Sequence, residues 1–562
     1  MDQAPILSVN DTILWLKAAL SAATLAALYA RFRRTPASGA AAQALSVRTK
    51  VFVLLAVLFS FGVFHNLGNF RGGSFIHYGE MFHYYLGPKY FKELGYYDLY
   101  KAVIVADSEQ GNTFVRMPFF TDLRTYQNAQ RATALLDADR LRGLFTNERW
   151  SEFKHDVAFF KQATQTPNAP GLMFLLMDHG YNGSPLSTLI LGTLTNAVPV
   201  TRLMWLALLD VFLVIAMGAL VFRTFGFEMG ALFAVYFCVN VLNAYDFVSG
   251  GLLRYDWLFY LVAAICLLER KRYAASACLL TLSTMTRVFP AMLFYGIAVA
   301  ILLGLRATRT VNRTYLRFIV AAAFTCLALF LLPAASLGSV LQPWLDFASN
   351  TDLHNQGVYV NHLGLRSILL FEPSHLSLEA FVEAFRSSRT NDIVRHWQDI
   401  KEYEFTQKKP LLIIASLLVL SGVTAVIRKR GDVEKLLWPL LLVYTMSHPA
   451  HYYYAFLCLL VLLFFRRHNS LDAFVPLALL LVLNLGVLVT DAFRPSPIVF
   501  YTLVNIYLFL CLTAILAFEI HTNVFGAPLF AARTSSGPAT DPHRMPKPTI
   551  RPHRRKARGR RK

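Results

Sequence analysis

Runs of roughly 20 mostly apolar residues recur along almost the whole chain, and each is long enough as a helix to cross the hydrocarbon core of a bilayer. They lie near residues 12–31, 49–66, 202–222, 229–245, 251–268, 272–286, 288–306, 315–336, 409–427, 435–447, 450–466, 471–490 and 498–520. Of the 562 residues, 55% are hydrophobic and 16% charged, a surface that water alone does not accommodate. The expected fold class is therefore an all-α polytopic membrane protein with about 13 transmembrane helices. The six cysteines, Cys238, Cys266, Cys278, Cys326, Cys458 and Cys511, all fall inside apolar runs, where they act as small packing residues. The first run lacks a basic leader and a small-residue cleavage site, so it reads as a retained anchor.

The net charge of +20 is distributed unevenly. About half of it sits in residues 533–562, a Pro-, Gly- and Ser-containing stretch that cannot build a packed core. Residues 521–562 are expected to be a disordered basic cytoplasmic tail that contacts anionic lipid headgroups. No aromatic residues interleave its basic ones as stacking platforms would, so nucleic acid is not an expected partner.

The remaining basic clusters, at residues 31–34, 270–272, 306–317, 428–430 and 466–467, fall at helix ends. Placing them all inside puts the N-terminus outside and the C-terminus in the cytoplasm. That assignment closes only if residues 186–198 do not cross the bilayer. Residues 1–48 then form an extra N-terminal transmembrane helix and a cytoplasmic linker, and residues 49–520 the main transmembrane domain. Two long outer loops result, 65–200 and 337–409. Amphipathic stretches at 122–144 and 150–160 suggest surface helices in the first. Long structured loops on one face indicate recognition or chemistry performed there.

Candidate chemistry clusters in five places. In the first loop Glu80 lies in an aromatic run with His77 and Tyr84. A carboxylate held near the membrane surface can take the proton of an acceptor hydroxyl, and pairing with a nearby cation is the alternative role. Arg254 and Asp256 mark a polar turn at the edge of an apolar helix, where charges line a cavity or pair together. Arg287, at the next outward turn, is suited to grip a lipid phosphate through charge-assisted hydrogen bonds, or else to cap or snorkel. The second loop offers His354 and Asn361, and the turn at 447–454 offers His448, His451 and Tyr452. Histidines there can donate to a phosphate. The sequence has no phosphate-binding glycine loop, dinucleotide fingerprint or zinc-protease helix, so ATP-driven transport, redox chemistry and metalloproteolysis lack their usual signatures.

These patches, in this order, resemble the GT-C glycosyltransferases, and within them the family 87 mannosyl- and arabinosyltransferases. Glu80, Tyr84, Gly87 and the pair Leu99 and Tyr100 match the first-loop pattern; Arg254 to Asp256, Glu269 to Arg272, Arg287 to Pro290 and Ser447 to Tyr454 match the later ones. The chain carries Glu80 where that family usually has Asp, and Arg287 where it usually has Lys. The resemblance implies a GT-C fold in a bacterial inner membrane. It also implies transfer of mannose or a pentose such as arabinose from a polyprenyl-phosphate donor to a glycolipid or polysaccharide acceptor at the outer (periplasmic or extracellular) face. Glu80 would be the general base of an inverting displacement; Arg254, Arg287, His448 and His451 would bind the donor phosphate; His77, Tyr84, Asp256, His354, Asn361 and Tyr452 would bind substrate. No cofactor is expected and no metal ligands are assigned, although some GT-C enzymes use a divalent metal. A lipid or solute transporter or flippase is the competing class, but such proteins often carry internal repeats and none is evident here.

Overall fold

The structure, a computed structural model, describes residues 9–34, 45–70, 73–166, 169–357, 359–370, 392–464, 471–493 and 497–523. The basic tail beyond Asn523 and residues 371–391 of the second long segment lie outside the described residues.

The protein is an all-α polytopic membrane protein. Among the described residues, eight helices are long and apolar enough to cross a bilayer: Asn10–Arg33, Val47–Phe64, Val200–Phe225, Phe289–Thr308, Arg313–Leu337, Tyr403–Ile427, Ala473–Ala492 and Val499–Thr522. A ninth candidate is bent by 72° between Phe227–Val239 and Val241–Val248. The four other apolar runs appear as shorter pieces, Asp256–Glu269, Tyr273–Thr286, Leu440–Met446 and His451–Leu463. Their shortness has local causes. In the run 251–268, Leu253 takes a left-handed backbone (φ 50°) and helix begins only at Asp256. Residues 186–198 form Pro185–Ala197, a helix of 13 residues that spans about 20 Å at 1.5 Å per residue.

Two hydrophobic cores organise the chain. The larger is the helix bundle itself, with Trp257, Trp438 and Tyr454 fully buried in it. The smaller belongs to the first long segment and is built on Leu99–Glu109, whose Val103, Ile104 and Val105 are completely enclosed. The amphipathic helices expected to lie on the membrane surface instead turn their apolar sides into this core: Phe153, Val157 and Phe160 of Asn147–Ala163 are fully buried. The reason is that a protein core lies within reach of the same apolar stripe. Part of 122–144 is not helical either. Phe119–Asp122 pairs antiparallel with Gln127–Gln130, and Gln165–Thr166 pairs with Ala169–Pro170.

Buried charge ties this small domain together. Nζ of Lys89 lies 2.6 Å from Asp156 and 2.8 Å from Glu152. The Tyr90 hydroxyl donates to the same Asp156 carboxylate. In the second long segment, residues 392–409 are not loop but the start of one helix, Asp392–Ile427, which runs through Pro410 into the span.

Candidate functional site

Glu80 sits on a single helical turn, Tyr78–Met81, followed at once by the π-helical turn Phe82–Leu86. His77 caps the turn, its Nδ1 accepting from the Glu80 backbone N–H at 3.1 Å. The His77 backbone N–H in turn donates to the Gly250 carbonyl at 3.0 Å, and the Tyr245 hydroxyl donates to the Phe75 carbonyl at 2.7 Å. His77 therefore sets where Glu80 stands. Its Nδ1 is spent on the backbone.

The partner loop, residues 249–255, is held just as closely. Asp210, on the long helix Leu203–Phe225, accepts the backbone N–H of Arg254 at 2.9 Å and of Tyr255 at 3.2 Å. The Trp257 indole donates to the Arg254 carbonyl at 3.1 Å. Gly251 allows the loop to approach, since a Cβ there would lie 3.1 Å from Cβ of Glu80 and 2.9 Å from the Val248 carbonyl oxygen. Arg287 leaves the end of Tyr273–Thr286 in an extended conformation. The end of that helix is pinned by Ser283, whose hydroxyl donates to the Trp257 carbonyl at 2.7 Å.

These supports bring the side chains together. Nε of Arg254 lies 3.1 Å from Oε2 of Glu80. The contact is close but lacks hydrogen-bond alignment: Oε2 of Glu80 and Nε and Nη1 of Arg254 are buried without a hydrogen-bond partner among the described residues. The Arg254 guanidinium lies 4.0 Å from the ring centre of Tyr84 and 5.5 Å from that of Tyr452. Arg287 lies 5.9 Å from the Tyr84 ring, and its Nε also has no partner. Asp256 is within electrostatic reach of both arginines, while its carboxylate accepts its neighbour's Trp257 N–H. Tyr84 is anchored by donating to Asn182 at 2.7 Å. One aromatic ring thus carries two guanidiniums beside one carboxylate, with several N–H donors unspent.

The late histidines are arranged differently. His451 is buried against Phe247, Tyr452 and Tyr501, with ring centres 4.1, 5.5 and 5.0 Å away, and neither ring nitrogen has a partner. Burial, with Arg366 beside it, pushes the pKa of His448 down to about 3. Neutral imidazoles of this kind contribute donors rather than positive charge, so the cationic part of the site is the arginine pair. His354, Asn361 and His448 fall in a neighbouring cluster: the Asn361 carbonyl accepts the His451 N–H at 2.9 Å, and His362 bridges to Ala450.

Sequence reading did not single out Asp210 or Asn182. Asp210 carried a usable signal, as the one acidic residue in an otherwise apolar helix. Asn182 carried none, because a polar residue in a loop is unremarkable. Among the described residues no group of three or more His, Cys, Asp or Glu side chains is placed to hold a metal ion. Compared with known proteins, the chain matches no family model, no curated protein and no solved structure.

Proposed function

We propose that the protein is a membrane glycosyltransferase of the GT-C type that moves a sugar from a polyprenyl-phosphate donor to a hydroxyl of a glycan or glycolipid acceptor. The observation that carries this reading is the pair of arginines on Tyr84, with unspent buried donors, beside the Glu80 carboxylate. Buried guanidinium N–H groups without partners suit a phosphate, whose oxygens accept in the geometry that guanidinium offers. A carboxylate at the same place suits proton removal from a hydroxyl.

In this scheme the acceptor hydroxyl gives its proton to Glu80 as its oxygen bonds to the anomeric carbon. The bond from that carbon to the phosphate oxygen breaks, and the electron pair leaves with the polyprenyl phosphate, inverting the centre. An in-line displacement needs base and leaving group on opposite sides of the sugar, and the two arginines divide accordingly. Arg254, in contact with Glu80, orients the base; Arg287, 5.9 Å from the Tyr84 ring centre, grips the departing phosphate and stabilises its charge. The four shorter apolar helices then complete about 13 crossings, with both long segments facing outward from a bacterial inner membrane.

The test is transfer from radiolabelled polyprenyl-phosphate sugars by the full chain in reconstituted vesicles. Glu80→Gln is expected to lower the rate by about 10²- to 10⁴-fold, the usual worth of a positioned base. Full activity in that variant would remove Glu80 from its role. A wild-type protein that consumes none of these donors would overturn the transferase reading.

A further inference from the structure

Beside the Glu80 site, four separate parts of the chain bring their rings to one place. Tyr126 and His179 come from the first long segment, His354, Tyr359 and His362 from the second, and His448 from the late turn. Ring centres lie 4.7 Å apart for Tyr126 and His179, 4.6 Å for His179 and Tyr359, and 5.0 Å for His354 and Tyr359. The chain of contacts continues at 5.5 Å from His354 to His362 and at 5.6 Å from His362 to His448. We propose that this cluster is a saccharide-binding subsite that holds the neutral, polyhydroxylated end of the acceptor.

Two observations beyond proximity point to a ligand. His362 is only 8% exposed, and its Nδ1 is buried with no hydrogen-bond partner among the described residues. The same is true of Nδ1 of His354. Buried imidazole nitrogens left without partners cost free energy that a bound hydroxyl or water would recover.

The chemistry selects the ligand class. Burial and the neighbouring His179 hold His354 down to about 4, and burial and the surrounding histidines hold His362 well below its ordinary range. With His448 similarly lowered by burial, these rings are neutral at physiological pH. A neutral imidazole offers one donor and one acceptor, which complements sugar hydroxyls that also do both. It offers no charge to a phosphate or carboxylate. The charged groups facing the cluster are each already engaged. Arg366 donates to the carbonyls of Asn355 and Gln356 at 2.6 and 3.0 Å while lying 3.1 Å from Nε2 of His448, and Asp178 is paired with His179 at 3.2 Å. Aromatic rings supply faces on which the C–H side of a pyranose or furanose packs.

Position agrees with an acceptor role. Asn182, which holds Tyr84, is three residues from His179, and Asn361, which holds His451, adjoins His362. The word acceptor rests on the proposed transferase activity; the binding itself does not.

The experiment is saturation-transfer NMR on the full chain in nanodiscs, using methyl glycosides of mannose, glucose, galactose and arabinose, with inorganic phosphate as the anionic probe. At least one neutral glycoside is expected to bind. His354→Asn and Tyr359→Ala are each expected to weaken it about tenfold, the scale of one lost polar contact or packing face. His354→Asn keeps a compact polar side chain and guards against misfolding in the other variant. The proposal is overturned if no neutral glycoside binds, if both folded variants bind as wild type does, or if phosphate binds more tightly than every glycoside. A protein that binds glycosides yet transfers no sugar would refute the activity and leave the subsite standing. One that transfers sugar but fails this test would refute the subsite alone.

Discussion

Glu80 and Arg254 meet at 3.1 Å between Oε2 and Nε without the alignment of a hydrogen bond. In the proposed reaction such a close but unaligned pair exchanges partners as a hydroxyl and a phosphate enter. The planar guanidinium, stacked at 4.0 Å on Tyr84, is part of that arrangement, and an ammonium cannot reproduce it. Arg254→Lys is therefore expected to lower transfer by about 10²-fold in the vesicle assay, the low end of what a base that loses its positioning contact costs. A loss below about twofold would show that charge alone suffices there.

The loop that presents Arg254 depends on Asp210, which is 3% exposed and accepts two backbone N–H groups. Asp210→Ala would leave two buried donors without partners and is expected to destabilise the protein by about 2–4 kcal/mol. Asp210→Asn keeps one accepting oxygen and should cost about half as much. Thermal unfolding in detergent reads the difference. Equal stability of wild type and Asp210→Ala would mean that the loop does not need this support.

Gly250 has φ +76°, and a Cβ there would overlap the carbonyl oxygen of Phe75. The strain falls on the contact through which residue 250 holds His77, and through His77, Glu80. Gly250→Ala is expected to cost about 1–3 kcal/mol and to reduce transfer more than the unfolded fraction explains. Activity per folded molecule, taken from a melting curve and a rate at one temperature, separates the two effects.

How much of this was legible beforehand differs by residue. The apolar run 315–336 became Arg313–Leu331 and 498–520 became Pro497–Asn523, because a long apolar stretch has one low-energy form in lipid. Glu80, Arg254, Arg287 and Tyr84 were readable as separate signals, and their meeting on one ring was not. That meeting depends on pairings such as His77 with Gly250, 173 positions apart, to which local periodicity is blind. The roles of the histidines were obscured for a related reason. A pair of histidines in a turn reads as two donors side by side, whereas His451 packs against Phe247 and Tyr501 and His448 against His362, a separation that spacing does not disclose. The amphipathic stretch Asn147–Ala163 misled in the opposite direction, since an apolar stripe looks the same whether it meets lipid or Leu99–Glu109.

The lowered histidines give the protein a signature in acid. Burial, the largest cause for each, holds the pKa of His354 down to about 4 and that of His448 to about 3, against about 6.5 in an unfolded chain. Between those values the unfolded chain binds protons that the folded one does not, so stability rises with pH. The contribution is complete above about pH 6.5 and is lost as pH falls towards the folded values, on the order of 1 kcal/mol per pH unit for each histidine. Few carboxylates titrate between about pH 6.5 and about pH 5, which makes that the window to examine. The melting temperature of the purified protein is expected to fall steadily across it. His354→Asn removes one of these rings and should flatten the slope by one histidine's share. A melting temperature that stays level or rises on acidification would show that these rings are solvated in the folded protein, and with that the neutral character assigned to them would fail.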